Sequence, residues 1–206
     1  MKHMKVLGAF ISSLTLLSLN IVGLSQAQAQ TQGFQFQNVL VSVFGNGCPS
    51  GNAQISLAGN TLFVAFPQFQ AIAASPKVVS QSCSLRIGLN VPKGYKVQPI
   101  NLRYYGYTNV PQGGSAALRV RGVFQGKDVL NSSNNLNADF PAGFSNGWLK
   151  DVSVTGDTIN ACANPVNSVF GINTTLIARA TNVAAGQRTQ IGFNGTYKIK
   201  FNLTPC

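Results

Sequence analysis

The sequence predicts an all-β protein: an antiparallel β-sandwich, jelly-roll-like and disulfide-bonded. Three observations support this. Several segments alternate apolar and polar residues with a period of two. Gly-, Pro- and Asn-rich turns separate them, and no long stretch carries a helical period with caps. The cysteine count is even, in a chain that opens with an export-like segment.

Lys2 and Lys5 precede an apolar run from Val6 to Leu24, and Ala27-Gln28-Ala29 offers the small-x-small pattern of a signal-peptidase site. A retained membrane anchor is the competing reading, because the run nearly reaches spanning length. Ser12, Ser13, Thr15, Ser18 and Asn20 interrupt it, however, and no basic stop-transfer cluster follows. Residues 1–29 are therefore expected to be a signal peptide and the product to be secreted (extracellular or periplasmic). No membrane span is expected after cleavage. Residues 30–206 have the length of a single β-sandwich domain.

The secure strands are Cys83–Val91, Ala116–Phe124 and Thr196–Leu203. Their apolar positions are Cys83, Leu85, Ile87, Leu89 and Val91, then Ala116, Leu118, Val120 and Phe124, then Tyr197, Ile199, Phe201 and Leu203. Further strands are expected within Phe34–Phe44, Gln54–Leu57, Thr61–Phe69, Val97–Tyr107, Leu149–Val154, Asn173–Ala180 and Thr189–Phe193. The polar, Asn-rich stretch from about 131 to 147, broken by Pro141 and Gly143, is expected as a long surface loop.

Cys48, Cys83, Cys162 and Cys206 permit three pairings. The sequence-local one, Cys48–Cys83 with Cys162–Cys206, closes two loops of similar size and ties down the last residue. It is the preferred pairing. Without a C-x-x-C pair or a histidine beyond His3, no metal site is expected.

Several local patterns together resemble a secreted family known as domain of unknown function 4360. They are Gly45-Asn46-Gly47-Cys48-Pro49-Ser50-Gly51; the strand Leu62–Phe66 followed by Phe69; Cys83-Ser84-Leu85-Arg86-Ile87; and Pro92-Lys93-Gly94-Tyr95. Tyr105-Gly106, Gly113, Phe124-x-Gly126 and the terminal Cys206 complete the set. The match covers most of residues 45–126. The resemblance implies a secreted, disulfide-bonded, mostly β protein and supplies no activity.

The charge balance narrows the function. The chain has 15 Lys+Arg against 4 Asp+Glu, all four being aspartates, and a formal charge of +11. Removing residues 1–29 takes Lys2, Lys5 and His3 with it and leaves +9. A chain with no glutamate and no histidine lacks the usual residues for acid–base work near neutral pH, so no enzyme is expected and no cofactor. The Gly45–Gly51 loop lacks the Lys-Ser/Thr ending of a phosphate-binding loop and is read as a turn positioning Cys48.

Arg119 and Arg121 share one strand face, as do Lys198 and Lys200, while Arg86 and Arg103 add charge nearby in sequence. These six are the candidate anion-binding residues, with few acids to neutralise them. Tyr105, Tyr107 and Trp148 are the candidate glycan-stacking residues, each a flat apolar ring with a polar tip. Tyr and Trp also serve as core caps, and Trp148 as an anchor for the polar loop.

The expected function is that of an exported non-enzymatic protein contacting acidic polysaccharide or another anionic envelope polymer. Nucleic acid is disfavoured, because no reading motif is present. One alternative is a structural subunit that self-associates through sheet edges or through Thr31–Gln37, an uncharged β-prone segment. Another is an enzyme that uses two of Asp128, Asp139, Asp151 and Asp157.

Overall fold

In the computed structural model, which describes residues 41–49, 53–130, 135–154, 159–194 and 196–206, every regular element is a β-strand. In chain order they are β1 (Val41–Phe44), β2 (Gln54–Ala58), β3 (Thr61–Ala65), β4 (Gln70–Ala74), β5 (Val78–Val91), β6 (Tyr95–Asn109) and β7 (Ser115–Phe124). There follow β8 (Lys127–Asp128), β9 (Ala138–Phe140), β10 (Ser145–Ser153), β11 (Ile159–Asn160), β12 (Val166–Arg179), β13 (Arg188–Phe193) and β14 (Thr196–Pro205).

They form two antiparallel sheets. The six-stranded sheet runs β1-β5-β12-β7-β8, with β9 also paired to β7. The eight-stranded sheet runs β2-β3-β14-β6-β13-β4, with β10 and β11 paired to β6. The chain passes from one sheet to the other between β1 and β2, β4 and β5, β5 and β6, and β6 and β7, and again between β9 and β10, β11 and β12, and β12 and β13. At each of these crossings the two strands belong to opposite layers, as in a sandwich.

The alternation in the sequence is the in–out alternation of the sheets. On β5, Cys83, Leu85, Ile87, Leu89 and Val91 are buried, and on β12 Phe170, Ile172, Leu176 and Ala178 lie beside them. Leu102 and Tyr104 of β6 and Tyr197, Ile199 and Phe201 of β14 supply the opposing layer. Phe170 meets Phe201 edge-to-face across the two sheets, with ring centroids 5.9 Å apart. Each such side chain contributes on the order of 1.5–3 kcal/mol by leaving water. Both disulfides follow the sequence-local pairing, Cys48–Cys83 and Cys162–Cys206.

The three secure strands are present as expected, and each of the weaker segments contains a strand. Three differences have physical reasons. β12 begins at Val166 rather than at Asn173, because Gly171 and Asn173, which look like turn formers, sit mid-strand. Arg86 lies across Gly171, where an added Cβ would come within 3.0 Å of its Nη1. β4 has the sequence QAIAA, poor in strand formers, yet it pairs with β13 in the same sheet and Ala71 and Ala73 are fully buried. Part of the segment expected as a long loop is strand: β9 pairs with β7, and β10 begins at Ser145. Residues 1–29, Thr31–Gln37 and Asp157 lie outside the described residues.

Candidate functional site

Alternation along β6 sorts its aromatics. Tyr104 points into the core and is fully buried, whereas Tyr105 and Tyr107 belong to the outer face of the eight-stranded sheet and are half-buried. The neighbouring strands build that face in register. Phe63 of β3, Lys198 of β14, Arg103 of β6 and Asp151 of β10 form one row across four strands. The Lys198 Nζ lies 5.7 Å from the centre of the Phe63 ring. Lys200 stands opposite Asn101 in the next row. On the other side of Arg103, Tyr105 stands opposite Leu149, which is 52% exposed. Tyr107 stands between Gly147 of β10 and Gly192 of β13, so neither neighbour in its row carries a side chain to cover its ring.

The six candidate cations do not share a surface. Arg103, Lys198 and Lys200 lie on the outer face of the eight-stranded sheet, and Arg86, Arg119 and Arg121 on that of the six-stranded sheet. The two faces point away from the common core and from each other. The acids are few, but three of them stand beside candidate cations. Asp151 takes Arg103, with Arg103 Nε donating to its Oδ2 at 2.6 Å. Asp139 takes Arg119 at 2.5 Å and Asp128 takes Arg121 at 2.7 Å. Arg86 donates to Asn173 Oδ1 at 3.0 Å and covers the Phe44 ring.

These pairs set the carboxylate chemistry. The hydrogen bond from Arg121, with its charge, holds Asp128 below the usual carboxylate range. For Asp151, partial burial pushes upward, but hydrogen bonds from Asn101 and Arg103 outweigh it and the net shift is downward. Neither carboxyl is a proton donor near neutral pH. In the core, burial drives the Tyr104 and Tyr197 phenols well above their ordinary range, which leaves them neutral.

A concave feature lies between one edge of each sheet. β9 and β10 flank an open groove of ≈ 790 Å³. It brings together Arg119 and Trp148, two candidate residues from opposite sheets. Trp148 stands opposite Gly106, and its Nε1 donates to Thr108 Oγ1 at 2.9 Å. Its ring packs 5.7 Å from Phe140 and 5.6 Å from Phe193, as an anchor would, and part of it remains on the groove wall. Lys150, Asn137 and Phe144 also line the groove, and sequence reasoning passed over all three. The available signal was parity, since Lys150 alternates with Trp148 on the inward side of β10.

Residues 35–206 match the family described as a domain of unknown function, DUF4360. The chain belongs to DUF4360. No curated protein matches it at a significant level. Solved structures that resemble the DUF4360 chain include TmCBM61 in complex with β-1,4-galactotriose. That match has 11% identity and a TM-score of 0.31, over 84% of this chain and 92% of the other. They also include the carbohydrate-binding module TmCBM27, studied for specific mannan recognition. Here identity is 13% and the TM-score 0.28, over 79% of this chain and 98% of the other. At these values neither likeness carries a functional argument, and the reading of the DUF4360 chain rests on its own residues.

Proposed function

We propose that this protein is an exported, non-enzymatic binder of acidic polysaccharide, and that it binds through the outer face of the eight-stranded sheet. One observation carries the reading: Tyr105, Tyr107, Arg103, Lys198 and Lys200 come from two distant segments and meet on one sheet face. The two tyrosine rings, that of Tyr107 flanked by glycines, offer flat surfaces to sugar rings, and lysines beside them attract carboxylates. Lys96 extends the basic stripe toward the far end of β6, opposite Thr204. Among the described residues Asp151 is the one acid on this face, and Arg103 occupies it. The non-enzymatic part is supported by the aspartates, since Asp128, Asp139 and Asp151 are each held by a different arginine.

The test is retention of the purified mature protein on immobilised polygalacturonate and on a neutral glycan over a salt series. Retention on the acidic polymer should fall steeply with salt. Lys198→Ala with Lys200→Ala should weaken it roughly tenfold, the contribution of about one charge-assisted hydrogen bond. Tyr107→Ala should weaken it at every salt concentration. Equal retention on both polymers would refute the reading.

A second reading, self-association, has one observation in its favour. β2 is an uncharged edge strand, exposed along its whole length, with Ile55 and Leu57 at 40% and 44% exposure. Sedimentation from micromolar to millimolar concentration tests it, and a monomer throughout excludes it.

A further inference from the structure

The groove between β9 and β10 is distinct from the tyrosine-bearing face, and the reading above makes no use of it. β9 is bonded to β7 and β10 to β6, so the groove lies between one margin of each sheet. Its ≈ 790 Å³ falls within the range of pockets that hold small organic ligands, about 300–1,000 Å³. One wall is aromatic, with the Phe140 ring tilted against Phe144 at 5.1 Å and against Trp148 at 5.7 Å. Arg119, Lys150, Asn137 and Asp139 supply the polar lining.

The charges in this lining are unequal. Arg119 occupies Asp139, whereas the Lys150 side chain makes no hydrogen bond or ion pair among the described residues. Asn137 spends its Oδ1 on the backbone N–H of Val120 at 2.8 Å, which leaves its amide NH2 as a donor. A lysine on the inward side of an edge strand also discourages addition of another strand. The groove therefore suits a compact ligand more than an extended peptide. An apolar wall, an amide donor and an unneutralised ammonium match a sugar ring that bears a carboxylate.

We propose that this groove is a second binding site, for a short acidic oligosaccharide of the hexuronate class. The carboxylate sits on Lys150, a ring face lies on the Phe144–Trp148 wall, and a hydroxyl accepts from Asn137. The site is separate from the Tyr105–Tyr107 face and does not depend on it.

Trp148 is the only tryptophan in the chain, so its fluorescence reports on this groove directly. Titration of the mature protein with tri-galacturonate should give a saturable emission change, and a neutral trisaccharide should give a much weaker one. Lys150→Gln should raise the apparent Kd about tenfold, one charge-assisted contact being lost. Lys150→Arg should keep the response and controls for folding, together with an unchanged Tm. Tyr105→Ala with Tyr107→Ala should leave the response intact. No saturable change, an equal response to the neutral sugar, or a response insensitive to Lys150→Gln would overturn the proposal. A fluorescence response with no retention of the unmutated protein on polygalacturonate would sink the sheet-face reading alone. The converse would sink the groove alone.

Discussion

Lys198 stands directly opposite Arg103 in the β14–β6 ladder, and Asp151, next in the row on β10, is bound to Arg103. Like charges facing each other across a ladder repel, so Asp151 relieves a repulsion as well as forming an ion pair. Asp151→Asn should lower the Tm and at the same time strengthen retention on acidic polymer, because a second cation becomes available. Thermal melts and polygalacturonate retention on one variant check both signs.

Acid should destabilise the fold through Asp128 and Asp151, whose folded-state pKa values are depressed. A depressed carboxylate contributes stability that is fully present above its unfolded value, about 3.9, and is lost as pH falls through the lower folded value. The Tm should therefore be flat from pH 7 to about 5 and drop below about 4. The Asp128→Asn, Asp151→Asn double variant should start lower and show a shallower drop.

Among the described residues, three buried core hydroxyls, on Tyr104, Tyr197 and Thr174, make no well-formed hydrogen bond, although both tyrosines approach Thr174. The two tyrosine rings pack 4.1 Å apart between centroids. Leaving a hydroxyl buried and unpaired costs about 1–3 kcal/mol, whereas an apolar isostere removes that cost. Tyr104→Phe should be neutral or stabilising by up to about 1 kcal/mol, as read by urea unfolding.

The two disulfides close loops of 35 and 44 residues. By loop-closure entropy each contributes about 4 kcal/mol, so their difference lies in access. Cys48 and Cys83 are 2% and 3% exposed, while Cys206 is at the surface. Limited reduction followed by alkylation and mass spectrometry should label Cys162 and Cys206 first. Labelling of Cys48 should coincide with global unfolding.

Gly106 has no room for a side chain. A Cβ there would come within 2.0 Å of the Trp148 ring and 2.5 Å of the Gly192 carbonyl. Gly106→Ala should cost at least about 2 kcal/mol and red-shift the Trp148 emission as the ring is forced outward. Gly94→Ala, where no atom lies within 4 Å but φ is +91°, tests backbone strain alone and should leave the emission unchanged.

Period-two alternation was enough to locate Cys83–Val91, Ala116–Phe124 and Thr196–Leu203 within the longer strands Val78–Val91, Ser115–Phe124 and Thr196–Pro205, because each has one buried face and a slip of one residue would expose it. The even cysteine count, with loops of similar size, carried the pairing. β4 and the first half of β12 were not legible. The alanines of β4 and Gly171 of β12 owe their place to neighbours from other parts of the chain, β13 and Arg86. Local propensity carries no record of such neighbours.

The sequence by itself determined the class of fold, the inward side of its main strands, and which side chains carry positive charge outward. It did not determine which outward positions share a surface, since that depends on strand order. Lys198 meets Arg103 because β14 lies beside β6, and Arg119 and Arg121 face the opposite way because β7 joins the other sheet. Nor did it foretell that Asp128, Asp139 and Asp151 would each find an arginine. Coulomb pairing acts over a few ångströms in space, and only the folded chain sets those distances.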